Sequence, residues 1–146
     1  MSPYLQKAVS SRRNYCITVA THAEYNKTRK GVDSGPEKAR AVIAEWILQY
    51  VRVGEPFLAG IITEGTAVHA AMTGRGAQVR KETVIRFGGV VPPQYDDALT
   101  EERIRELLND LASVLGEAFH QRYVYVDYLD TSWVLENIDF PDDLPS

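Results

Sequence analysis

Two of the three histidines in this chain and several of its arginines and lysines have the chemistry to hold or transform a ligand. His22 and His120 can each donate, accept or pass on a proton near neutral pH, so they are the candidate acid and base groups. The cations Lys27, Arg29, Arg75, Arg80 and Arg122 can bind carboxylates and phosphates, and the planar fork of arginine offers two parallel charge-assisted hydrogen bonds. Tyr25, Gly76, Gln78 and Gln121 lie beside these cations in sequence and complete the candidate ligand contacts, with a tyrosine ring to pack on an apolar part of the ligand. His69 falls inside a strand pattern and reads as a packed or hydrogen-bonded residue.

The stretch TGRGAQVRKETVIRF, residues 73–87, bears on the same question. Its glycines permit a tight turn and a close backbone approach, so Gly74-Arg75-Gly76 reads as a hairpin turn whose N–H groups can also face an anion. It is neither a P-loop, which needs G-x-x-x-x-G-K-[ST], nor a dinucleotide fingerprint, because a strand-like run follows it instead of a helix. The histidine spacing matches no zinc signature, and the single Cys16 sits in an apolar run that predicts a buried thiol. No metal and no cofactor are therefore expected. There is also no G-x-S-x-G elbow to support covalent hydrolysis.

The elements that must position these residues follow from periodicity. NYCITVATH, residues 14–22, carries β-branched and aromatic residues on both alternations and predicts a central strand. A polar loop leads to Pro36, suited to the first helical position, and Ala39, Val42, Ile43, Trp46, Ile47 and Tyr50 then keep helical spacing. PFLAGIIT and TAVHAAM predict one strand or two short ones, followed by a strand over KETVIRFGGVV. Thr100 is the candidate cap of a second helix that puts Ile104, Leu107, Leu108, Leu111, Leu115 and Phe119 on one face. RYVYVDYLDTSWVLE predicts a single final strand with Tyr123 and Tyr125 on one side and Val124, Val126 and Tyr128 on the other.

The order β-α-β-β-α-β predicts an α+β fold of the ferredoxin-like kind, with a four-stranded antiparallel sheet of order 4-1-3-2 and two helices on one face. At 146 residues the chain suits one domain, residues 1–146, with a flexible segment over 1–12 and an acidic tail over 137–146. In this topology the loop after the first strand, the hairpin between the second and third, and the start of the fourth share one edge. The candidate cations therefore converge there, beside the N-terminus of the first helix. Two helices cover one face of a sheet, so Tyr123 and Tyr125 on the other face predict burial by a second copy of the chain.

Net charge of −4 argues against a broad nucleic-acid footprint, and no run of apolar residues is long enough to span a bilayer. A lone cysteine and an N-terminus without an apolar core point to a reducing, cytoplasmic setting. From Lys81 onward, KETVIRF, a helix and then FHQRYVYV resemble the second half of small uncharacterised bacterial and phage proteins of ferredoxin-like topology. The resemblance implies fold and no activity. The expected function is a non-catalytic, oligomeric binding module for a small anionic ligand, a nucleotide or phosphorylated metabolite. The alternatives are an isomerase or lyase using His22 or His120, and an interaction module using the aromatic sheet face.

Overall fold

The computed structural model describes residues 2–21 and 35–141, and His22, Tyr25, Lys27 and Arg29 lie outside the described residues. Strand β1 (Asn14–Thr21) alternates strictly: Tyr15, Ile17, Val19 and Thr21 are buried, while Cys16, Thr18 and Ala20 face the other way and are half-buried. Helix α1 (Gly35–Val53) buries Ala39, Ile43 and Trp46, the centre of its predicted stripe. Strands β2 (Ile61–Thr73) and β3 (Gly76–Val90) form a long hairpin, and a short 3-10 turn at Pro93–Tyr95 precedes helix α2 (Glu101–Ala118). Thr100 caps α2 as expected, its Oγ1 accepting from the Arg103 N–H at 3.1 Å.

The last predicted strand is two. β4 (Tyr123–Tyr128) turns at Leu129-Asp130 into β5 (Thr131–Glu136), so among the described residues the sheet has five strands and the expectation of four is corrected. The turn carries no glycine or asparagine signal, because Leu129 itself takes the left-handed conformation with φ of 55°. That conformation is costly for a leucine, and it is held by a backbone bond from Leu129 N–H to the Asn14 carbonyl at 2.9 Å.

The sheet order is β2-β3-β1-β4-β5, with every neighbouring pair antiparallel. Both helices pack on one face. Ile17, Val19, Ile85, Phe87, Val124 and Val126 meet Ile43 and Trp46 of α1 and Ile104, Leu107, Leu108, Leu111 and Leu115 of α2 there. Asp110 ties the helices together, accepting from Trp46 Nε1 at 2.8 Å and the Tyr50 hydroxyl at 3.1 Å. Cys16 is the exception to the predicted core, since it points half-buried to the opposite face.

The hairpin reaches beyond the sheet. The β1–β3 ladder ends at Thr21 and Thr83, whereas β2 and β3 continue together to Thr73 and Gly76, so among the described residues the outer part is a two-stranded ribbon. The connecting loop is Gly74-Arg75. Gly76 has φ of 101°, which a side chain would strain, and Gly74 does not need positive φ. Thr73 Oγ1 accepts from the Arg75 N–H and donates to the Gly76 carbonyl, both at 3.1 Å. No helix among the described residues is long and apolar enough to cross a membrane, and none of their His, Cys, Asp and Glu groups cluster as a metal site would require.

Candidate functional site on the open sheet face

Where β1 ends and the ribbon begins, the face away from the helices holds a cavity of about 470 Å³ lined by Ala20, His69, Glu82, Gln121, Tyr123 and Tyr125. Strand geometry explains the set. Tyr123 and Tyr125 are two residues apart on β4 and therefore share a face, and Ala20 of the central strand contributes almost no side chain between them and the hairpin. Glu82 follows immediately beyond the last β1–β3 pair.

His69 pairs with Arg80 across the hairpin and Ala67 pairs with Glu82, which makes His69 and Glu82 diagonal neighbours on the same face. His69 Nε2 lies 3.8 Å from Glu82 Oε1. The pair is partly solvated, so it contributes little to stability, and its groups stay accessible to a ligand. When the imidazole is protonated the two form an ion pair, with an acid, the imidazolium, and a base, the carboxylate, side by side in the cavity.

Gln121 enters this cavity because of the way α2 ends. His120 adopts φ of 54° at the position where glycine commonly terminates a helix. Its N–H donates to the Glu117 carbonyl at 3.2 Å, and the Gln121 N–H donates to the Gly116 carbonyl at 2.9 Å, so the last carbonyls of α2 are satisfied and the chain reverses. The buried Gln121 amide then donates to the Phe119 carbonyl at 3.1 Å. His120 acts here through its backbone, and its ring is not part of the cavity lining.

The other candidates are dispersed. Arg122 Nε bonds Glu136 Oε2 at 3.0 Å, and its guanidinium lies 5.6 Å from the Tyr123 ring centroid. Arg75 and Gly76 form the hairpin tip, and Gln78 and Arg80 lie along β3 on the same side as Glu82. Of the candidate ligand contacts only Gln121 lines this cavity; Tyr123 and Tyr125, expected to be covered by a second copy of the chain, line it too, and His69 and Glu82 were not among the candidates. A signal for them existed: once the loop is fixed as Gly74-Arg75, counting back along the hairpin places His69 diagonal to Glu82.

The arrangement defines a two-layer α+β protein with one helix-covered face and one open face. No protein-family model matches the chain, and no curated protein is significantly similar to it in sequence. Solved structures are similar in fold. One is a phage SAM lyase in complex with S-methyl-5'-thioadenosine, with a TM-score of 0.58 and 15% identity over 94% of this chain and 99% of that one. Another is a phage SAM lyase in the apo state, with a TM-score of 0.60 and 14% identity over 94% and 100%. At this identity the likeness is one of fold.

Proposed function

We propose that the protein binds a small nucleoside, an adenosine thioether or sulfonium, in the cavity of Tyr123, Tyr125, His69 and Glu82. The observation that carries this reading is the meeting of two tyrosine rings with a carboxylate–imidazole pair in one concave site. A purine stacks on an aromatic ring with roughly 1–3 kcal/mol of stabilisation. Glu82 can accept hydrogen bonds from ribose hydroxyls or balance the positive charge of a sulfonium. A neighbour of the same fold that binds S-methyl-5'-thioadenosine supports a ligand of this class.

The lining holds one carboxylate and neither arginine nor lysine, which favours a neutral or cationic ligand over a phosphorylated one. Calorimetric titration with S-methyl-5'-thioadenosine, S-adenosylmethionine and adenosine monophosphate tests this. The first two should bind, and Tyr125→Ala should weaken them about ten-fold, in line with the loss of one stacking contact. Tighter binding of the monophosphate would restore the anionic-ligand reading, and no binding of any of the three would sink both.

A lyase is the second reading, and the His69–Glu82 pair favours it. Incubation with S-adenosylmethionine and chromatography for S-methyl-5'-thioadenosine should then show turnover. His69→Gln should abolish turnover while nucleoside binding persists, Glu82→Gln should abolish turnover and also weaken binding, and His120→Gln should leave both intact. If wild type yields no product, the binding module stands alone. Self-association through the open face is a separate proposal that rests on the exposure of Tyr125 and Val134. Light scattering that returns a monomer mass with and without nucleoside would reject it.

A further inference from the structure

The open face carries a second hollow, of about 400 Å³, at the end of the sheet away from the ribbon. Cys16 of β1 and Gly88 and Gly89 of β3 are among its lining residues, with Ile61 and Thr63 of β2 beside them. The glycines keep it hollow. A Cβ on Gly88 would sit 2.9 Å from the Tyr15 carbonyl oxygen, so no side chain can occupy that place without moving β1. Two guanidinium groups line the hollow, Arg86 from β3 and Arg12 from the segment just ahead of β1.

Neither arginine meets a carboxylate among the described residues. Arg12 Nε donates to Asn14 Oδ1 at 2.8 Å, a neutral acceptor. Arg13, Arg52, Arg103 and Arg122 each lie within 4 Å of an aspartate or glutamate, whereas Arg40, Arg75, Arg80 and Arg105, like Arg12 and Arg86, make no such ion pair among the described residues; Arg12 and Arg86 differ from those four in lining one hollow together. Asp127, which faces Cys16 across the β1–β4 ladder, accepts from Ser132 Oγ at 2.5 Å. Two arginines without a carboxylate partner lining one glycine-floored hollow concentrate positive charge there, in a chain whose net charge is −4.

We propose that Arg12 and Arg86 hold an oxyanion, a carboxylate or a phosphate, in this hollow. The guanidinium forks supply charge-assisted donors, and the glycine floor lets the anion approach the sheet closely. Arg86, Thr18 and Tyr125 occupy one cross-strand row, with Thr18 between the arginine and the ring. Adjacent strands are about 4.8 Å apart, so the arginine stands roughly 10 Å from the tyrosine, within reach of the extended tail of a nucleoside stacked on that ring. The tail as the source of the anion rests on the nucleoside reading above; a separate free anion is the other source, and the two are distinguished experimentally.

The test uses Arg86→Gln and Arg12→Gln, both at exposed positions where folding should persist. Inorganic phosphate is titrated into wild type and variants while the arginine Nε–H signals are followed by NMR. Separately, the affinities of S-adenosylhomocysteine, which carries a terminal carboxylate, and of S-methyl-5'-thioadenosine, which lacks one, are compared by calorimetry. A saturable shift of the Arg86 signal with phosphate, lost in Arg12→Gln, is expected. The preference for S-adenosylhomocysteine should also fall about ten-fold in Arg86→Gln, with S-methyl-5'-thioadenosine binding unchanged. If neither nucleoside binds but phosphate saturates the arginines, the anion site stands and the nucleoside reading fails. If phosphate gives no saturable shift and the ratio of the two nucleosides is the same in Arg86→Gln as in wild type, the anion site is overturned.

Discussion

Asp110 accepts two hydrogen bonds from α1, and one of them satisfies the indole N–H of Trp46, a residue 2% exposed. Asp110→Ala should therefore cost about 1–3 kcal/mol of stability, the usual penalty for a buried donor left without a partner. Urea denaturation followed by Trp fluorescence measures it, and a wild-type midpoint would show that solvent replaces the carboxylate. Arg75 gives the opposite expectation. It sits in the hairpin loop, six residues along β2–β3 from His69 and so roughly 20 Å from it at about 3.3 Å per residue. Arg75→Ala should change stability by less than about 0.5 kcal/mol and leave nucleoside affinity at the wild-type value in calorimetry. A large loss of affinity would show that the turn itself contacts the ligand.

Local and distant information separate clearly at the level of elements. The buried faces of both helices were legible because a helix repeats its partners every three to four residues, and Ile104, Leu107, Leu108, Leu111 and Leu115 announce that face without reference to anything else. The β4–β5 hairpin was not, because its turn depends on a bond from Leu129 to Asn14, a residue far away in sequence. His69 and Glu82 stayed hidden for a related reason: each looks ordinary on its own strand, and only the register of the hairpin brings them together. The contact of α2 with β4 gives a sharp test. A Cβ on Gly116 would lie 2.8 Å from Val124 Cγ2, and a β-branched valine has little rotamer freedom to yield. Gly116→Ala gains up to about 1 kcal/mol of helix propensity but should still destabilise, because overpacking costs roughly 1–3 kcal/mol. A Tm above wild type in calorimetry would mean that the helix slides to make room.

For the whole molecule, the helix-covered core sets an alkaline limit. Burial pushes the Tyr15 phenol up to about 12, and its hydroxyl donates to the Ala59 carbonyl. Burial also pushes Tyr128 up to about 12, and the Glu101 carboxylate reinforces the effect. An unfolded tyrosine ionises near pH 10, so between about pH 10 and 12 the unfolded chain binds fewer protons than the folded one. The stability linked to these tyrosines is thus fully present below about pH 10 and lost as pH climbs through about 12. Urea midpoints should fall steeply across that window, and Tyr128→Phe should flatten the slope; a midpoint insensitive to pH there would contradict the burial argument.

The ribbon beyond Thr21 and Thr83 also divides the open-face cavity between two structural units, the sheet and the ribbon. Tyr125 is paired on both sides, with Thr18 and Val134, and Ala20 and Tyr123 continue the same two inner strands, whereas His69 and Glu82 stand where β2 and β3, among the described residues, pair only with each other. Two-stranded ribbons are marginal by themselves, so amide exchange should quicken in a gradient from Thr66 toward Thr73 while β1 and β4 exchange only with global unfolding. A ligand that touches both Tyr125 and Glu82 would bridge the two units. Slowed exchange at Val68, His69 and Ala70, with the β1 amides unchanged, would be its signature.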